Sequence, residues 1–406
     1  MTFTQLYTSI DFTSEYFKYK ANYSQYSFKQ KISLLLLVIK SLLFKTYPEV
    51  KNSEILFNCS NLTKFNCFLP YLNQVTQGNV VVTHKEGERT KAFLHYLNKN
   101  NTSYDIWTSG NLSYSIIPLL VKSIMSLNLS MLFFTIENYQ TVYRHFLVLS
   151  KASPKIFVTA NEDNLFSSSI SKLCKKCLIT TINIMHGRAY LNDQHYDHSI
   201  IFGKSLKKFL ESNTCSSTNF ILGKSPFYSS IRPNTSLPPS GNNGINVLFC
   251  DQGSFELYPI KTRSLILSLL LKYFKHNEYF NLYVQPHPAQ DWPNNELSTS
   301  FPRGNINEFK YDLTLSACST IGLESVIKFN TPTLYLNFHN ILDHFIQTEP
   351  LKPLAIDSEK SFIKLTLKQT KNSLKQLLIK ETSILEKELS GDLSNDKILH
   401  SIFKSF

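Results

Sequence analysis

The sequence predicts an α/β protein made of two successive parallel-sheet units. Three observations carry this. Short β-branched and aromatic runs alternate with helical stretches through most of the 406 residues, as in strands joined by crossover helices. A chain of this length exceeds one ordinary core. A single stretch of turn formers, residues 232–244, interrupts the alternation with Pro233, Pro238, Pro239, Gly241 and Gly244 and has no apolar periodicity.

The elements follow in order. Residues 1–50 read as a helical preamble. Residues 51–235 form the first unit, with strands at 54–59, 79–83, 104–107, 131–136, 155–159 and 178–184. Helices are expected between them at 65–75, 89–97, 114–127, 140–150 and 164–176. Residues 236–244 are the linker. Residues 245–360 form the second unit, with strands at 245–250, 281–284, 313–315 and 333–336 and helices at 263–274 and from Ser319. Residues 361–406 are amphipathic and helical. No repeat is visible beyond the two similar halves.

Hydrophobic residues at 42% and charged residues at 18% describe a globular chain rather than a disordered one. The net charge of +12 favours anionic partners. The lysines are dispersed and no nucleic-acid motif occurs, so phosphorylated substrates and anionic lipid surfaces are expected and nucleic acid is not. Seven scattered cysteines and a polar, mixed start at Met1 point to a reducing, cytoplasmic compartment. Cys174 and Cys177 form a lone CxxC, read as a helix end rather than a zinc site. The apolar run 32–44 is shorter than a membrane span and is broken by Lys40. It suits either a buried helix or an interfacial one, peripheral at the inner face of the cytoplasmic membrane.

The chemistry concentrates in two motifs. Gln285-Pro286-His287-Pro288 closes an apolar strand. Prolines on both sides stiffen the loop, and a rigid imidazole there can donate to a phosphate oxygen or protonate a leaving phosphate. The alternative is a His packed under the loop against a backbone carbonyl. Ser316 and Ser319-Thr320-Ile321-Gly322-Leu323-Glu324 surround the start of the next helix. Hydroxyls and free N–H groups at a helix N-terminus suit an anion. Glu324, one turn on, can accept from ribose hydroxyls, or it can serve as an ordinary capping-box carboxylate. Gly322 fits close approach of a ligand or a neighbouring strand.

Asp251-Gln252-Gly253 follows the first strand of the second unit. Asp251 reads equally as a base for an acceptor hydroxyl and as a turn residue. Met185-His186-Gly187 and Asn161-Glu162-Asp163 follow strands of the first unit. His186 is either a cleft residue or a hinge-packing one. Glu162 and Asp163 are either acceptor-side carboxylates or a solvated cap.

Taken in order, these segments resemble the GT-B glycosyltransferases that build bacterial surface polysaccharides. The resemblance is to sialyltransferases and the related capsule and lipopolysaccharide transferases that use CMP-activated sugars. Their acidic-x-Gly, His-Pro and Ser/Thr motifs match Asp251-Gln252-Gly253, His287-Pro288 and Ser319-Thr320, with Gln252 where the family has a second acidic residue. The His-Gly, Ile-Phe-Gly and Gly-x-x-Pro series across 186–226 is similar to glycerophosphotransferases using CDP-glycerol. The likeness spans roughly residues 155–340.

It implies two Rossmann-like domains facing each other across a cleft, and inverting, metal-independent transfer of a CMP-activated sugar of sialic acid or Kdo type. The partners it implies are that nucleotide-activated sugar, as substrate with no separate cofactor, and a glycan or glycolipid acceptor. By the same resemblance Asp251 is the general base, His287 serves the nucleotide phosphate, and Ser319 and Thr320 bind it; taken with the strand-end reading above, Asp251, His287 and His186 are the catalytic candidates. Gly253, His287, Pro288, Ser316, Ser319, Thr320 and Glu324 bind the nucleotide, and Glu162 and Asp163 face the acceptor. The same motif order fits a CDP-glycerol-type polyol-phosphate transferase, a UDP- or GDP-sugar transferase, or a non-catalytic scaffold.

Overall fold

The computed structural model describes residues 3–24, 26–33, 36, 50–59, 65, 67–68, 78–84, 88–99, 104–108, 117, 119, 121, 128–160, 167–185, 195–213, 217–223, 238, 244–251, 260–286, 297–317, 321–340, 353–389 and 402. Their strands form two sheets, both parallel throughout.

The first sheet holds β1 (Ile55–Cys59), β2 (Gly78–His84), β3 (Tyr104–Thr108), β4 (Ile156–Thr159), β5 (Thr180–Ile184), β6 (His198–Ile201) and β7 (Asn219–Leu222), in the order β3-β2-β1-β4-β5-β6-β7. The chain winds outward from β1 to β3, then returns to place β4 on the other side of β1. The switch point is therefore between β1 and β4. Alternation along the strands splits the apolar side chains between two cores. Ile55, Phe57, Ile156 and Val158 face one side. Leu56 and Phe157 face the other, under the helical layer.

That layer consists of α1 (Phe3–Thr8), α2 (Thr13–Ser24) and part of the long α4 (Leu129–Ala152); α3 (Glu88–Lys99), α5 (Ser167–Lys176) and α6 (Lys204–Asn213) are the other helices of this unit. Residues 131–136, expected as a strand, lie inside α4. Asn128 caps this helix by accepting the Met131 N–H at 3.0 Å. Phe133 and Phe134 then stack on Tyr23 and pack on Tyr16, so tertiary contact overrides local β propensity. The expected helix 140–150 is the second half of the same element. β6 and β7 were not expected, being four-residue strands without alternation.

The second sheet holds β8 (Ile245–Cys250), β9 (Phe280–Gln285), β10 (Leu313–Ser316), β11 (Thr333–Leu336) and β12 (Ala355–Ile356), in the order β12-β11-β10-β8-β9. Here the switch point lies between β8 and β10. Every residue of β8 is buried, as a central strand covered on both faces requires. Around it pack α7 (Ile260–Phe274), α8 (Ile321–Phe329), the short α9 (Glu359–Phe362) and α10 (Lys371–Leu389).

The expected linker 236–244 falls between β7 and β8, and only Pro238 and Gly244 of it are described. Of the expected helices at 65–75 and 114–127, residues 65, 67, 68, 117, 119 and 121 are described and helical; the others lie outside the described residues. Leu374 and Leu385 of α10 belong to the second core, whereas Ile402 is buried in the first. The C-terminal stretch thus returns to the first unit. Among the described residues no helix is long and apolar enough to cross a membrane.

α10 also carries a buried carboxyl. Glu381 accepts the Thr333 backbone N–H at 2.8 Å and the Tyr335 hydroxyl at 3.4 Å. Burial pushes its pKa from 4.5 up to about 8, against the lowering effect of these hydrogen bonds. The folded chain therefore keeps a proton that the unfolded chain has lost between these values. The stability linked to this proton is fully present below pH 4.5 and is lost as pH rises through about 8. Glu381→Gln is expected to remove this slope, checked by comparing melting temperature against pH for the two proteins.

Candidate functional site

Parallel register brings the second-unit motifs together. Cys250 at the end of β8 is aligned with Gln285 on β9 and with Ser316 on β10. The chain leaves these three strands through Asp251, Pro286 and Ala317, side by side on one edge of the sheet. His287 and Pro288 follow Pro286, Gly253 follows Asp251, and Ser319 and Thr320 precede α8. These five residues lie outside the described ones, but the strands that deliver them do not. Their common edge includes the switch point between β8 and β10, where open α/β sheets form a ligand crevice.

The residues beneath this edge are tightly held. The Asp251 backbone N–H donates to Gln285 O at 2.9 Å. The Gln285 side-chain oxygen accepts the Ile306 N–H at 2.9 Å. The segment 302–304 runs beside β9, with Val284 N–H donating to Pro302 O and Gly304 N–H to Val284 O. Gly304 leaves no room for a Cβ, which would stand 2.4 Å from Leu248 Cδ1.

The side chain of Asp251 is wholly buried. Arg263, in the first turn of α7, binds it with both arms: Nη2 to Oδ2 at 2.8 Å and Nε to Oδ1 at 3.3 Å. A general base must reach the proton it removes. The structure places this carboxylate beneath the crevice, bound to a guanidinium, rather than open to an acceptor. Arg263 was missed by the sequence reading. Its one signal is position, because a cation in the first turn opposes the helix dipole and therefore needs a specific partner. Next to it, Thr262 Oγ1 is 2.9 Å from His339 Nδ1, tying the start of α7 to the segment after β11.

Ser316 is buried against the first turn of α8. A Cβ on Gly322 would lie 3.0 Å from Ser316 Cβ and 2.9 Å from Tyr335 Cε1. The close approach expected of Gly322 is thus to the strands, and Thr333 Oγ1 reinforces it by donating to Gly322 O at 2.7 Å. Glu324 is half-buried and accepts from Lys328 Nζ at 2.8 Å, one turn along the same helix. Cys250 is buried. Desolvation, then the Asp251 and Glu324 charges, push its thiol pKa far up, so it stays protonated.

The first-unit candidates leave neighbouring strands as well. β4 and β5 pair with Thr159 opposite Asn183. Glu162 and Asp163 follow β4 in the chain, a strand that borders the β1/β4 switch point, and His186 follows Met185, beyond β5. All three lie outside the described residues. Cys174 is buried in α5 and Cys177 follows that helix, each thiol pushed up chiefly by burial. Among the described residues no group of three His, Cys, Asp or Glu is arranged to hold a metal ion.

No protein-family model matches this sequence, nor does any curated protein. Solved structures do resemble it. Arabidopsis thaliana UGT89C1 complexed with quercetin aligns with a TM-score of 0.51 and 13% identity, over 87% of this chain and 99% of that one. The wall teichoic acid polymerase TagF aligns at 0.42 with 11% identity, over 97% of both chains. UDP-N-acetylglucosamine 2-epimerase from Rickettsia bellii aligns at 0.45 with 15% identity, over 87% of this chain and 97% of that one. The protein has the GT-B fold, with two parallel α/β units.

Removing one partner of the Asp251–Arg263 pair takes from a buried charge the counter-charge it is bonded to at 2.8 Å. Asp251→Ala and Arg263→Ala are each expected to lower unfolding free energy by about 3–5 kcal/mol. The double variant should lose less than the sum, measured by urea unfolding in a double-mutant cycle.

Proposed function

We propose that this protein is an inverting glycosyltransferase whose donor nucleotide binds at the C-terminal edge of the second sheet. The observation that carries the reading is the alignment of Cys250, Gln285 and Ser316 in one row. It makes level the strand ends that precede an acidic segment, a Pro-His-Pro loop and a Ser/Thr-rich stretch, beside a switch point, which supports one shared crevice. The donor class best supported by the motifs is a CMP-activated sugar, and the acceptor is a glycan or glycolipid.

In this reading the acceptor oxygen attacks the anomeric carbon while the bond from that carbon to the phosphate oxygen breaks. The electron pair leaves on the phosphate. His287 and the N–H groups at the start of α8 stabilise the charge developing there, without a metal ion. Ser319 and Thr320 hold the phosphate, and Glu324, exchanging its Lys328 contact, accepts from the ribose. Asp251 acts as a positioning residue that fixes Arg263 and the start of α7. The acceptor proton goes to the first unit, to Glu162 or Asp163 beside His186, since Asp251 is enclosed. Glycosyl transfer for surface polysaccharide, at the cytoplasmic side, is the setting that fits these substrates.

His287→Ala is expected to lower turnover by about 100-fold or more while leaving the melting temperature unchanged. Unchanged turnover would sink the assignment. Thermal-shift measurements with CMP, CDP, UDP and GDP identify the donor, because a ligand that binds the folded state raises its stability. A CMP response supports the reading. A CDP response with transfer of a glycerol phosphate mass to the acceptor assigns the polyol-phosphate reaction instead, and no response to any nucleotide assigns a scaffold.

A further inference from the structure

The helical layer on the outer side of the first sheet is apolar where water should meet it. Among the described residues, eight of the thirteen exposed large apolar side chains lie in this layer or near Tyr26 and Leu119, which pack against its core. The other five are scattered singly, as is ordinary on protein surfaces. Phe28 and Ile32 lie four residues apart in the helical stretch 28–33 and share one face, with Phe28 79% exposed, and Leu36 is 60% exposed as well. Ile117 and Val121 are exposed too, and Leu129, 64% exposed, opens α4.

These groups adjoin one another. Tyr23 stacks on Phe133 of α4, and Lys31 Nζ lies 4.9 Å from the centre of the Tyr23 ring. The residues following α2 are thereby held beside the start of α4. Ile117 and Val121 flank Leu119 in sequence, and Leu119 and Met131 line a cavity of about 440 Å³ together with Tyr7, Ile10, Phe12 and Tyr16.

Charge selects the occupant. Residues 16–33 contain four lysines and no acidic residue. Lys20 and Lys29 are exposed. The nearby acids are the exposed Asp11, Glu137 beside Tyr19 and Tyr26, and Glu15, which is buried and paired with Lys172 at 2.8 Å. An exposed apolar helical stripe flanked by lysines is the composition that lies in the headgroup region of a bilayer. We infer that this layer is a docking face for an anionic membrane surface, with its apolar stripe in the headgroup region and its cavity open to an acyl chain. The inference is independent of the donor reading above.

The test is cosedimentation of the full chain with phosphatidylcholine vesicles, with and without phosphatidylglycerol. Binding should require phosphatidylglycerol and weaken at high salt. Lys20→Glu and Lys29→Glu should each reduce partitioning by roughly fivefold or more. Phe28→Asp with Ile32→Asp should reduce it by about tenfold or more. Leu129→Asp, on a different helix, gives a second readout if the double variant does not fold. Failure to bind phosphatidylglycerol vesicles overturns the inference, as does equal binding by all variants. A lipid-free dimer in sedimentation velocity that Phe28→Asp with Ile32→Asp dissociates assigns the face to a second copy of the chain instead.

Discussion

The site rests on backbone pairing across β9, β8 and β10. Parallel strands rise together, so fixing the register at one pair fixes where all three end. Cys250 opposite both Gln285 and Ser316 makes the three exits level. A slip of one residue would turn each side chain to the opposite face and exchange the residues of β8 between the two cores it joins. The burial of all six β8 residues resists such a slip, because Val247 and Phe249 belong to one core and Leu248 and Cys250 to another. Hydrophobic packing therefore sets the geometry on which any polar chemistry at this edge depends.

Above that frame the polar groups are already engaged. Gln285 holds the segment around Ile306, Asp251 holds Arg263, and Thr262 meets His339. Each contact links a strand end or the segment after one to the neighbouring helix or loop. The loops that follow start from fixed points, which matters more for orienting a reacting group than for net stability, since buried ion pairs seldom stabilise beyond an apolar equivalent. A fold of this kind serves many chemistries, so the site rather than the architecture must carry the functional argument.

Much of this was legible in the sequence. Runs such as Ile156-Phe157-Val158 and Leu248-Phe249 mark buried parallel strands, and they lie where strands were expected. The turn-rich stretch 232–244 falls between the two sheets. Residues 131–136 misled because Leu132, Phe133, Phe134 and Ile136 suit a strand as well as a helix. Only their aromatic partners at Tyr16, Tyr19 and Tyr23, more than a hundred residues earlier, decide between the two. The Asp251–Arg263 pair was illegible for a related reason. A turn residue and a helix residue twelve positions apart meet only because α7 folds back over the end of β8. Gly322 was readable as a point of close approach, but that the approaching group is the strand pair of Ser316 and Tyr335 follows only from the packing.

The return of the chain to its starting unit has a consequence for biosynthesis. Ile402, which follows the whole second sheet in the chain, is buried with Phe57, Ile182 and Leu210. A ribosome delivers the first sheet early but withholds this piece of its core until the second unit has been made. N-terminal domains ordinarily complete their folding during synthesis. Here the first core includes a residue made after every strand of the second sheet, so its packing is completed only once the second unit has been synthesised.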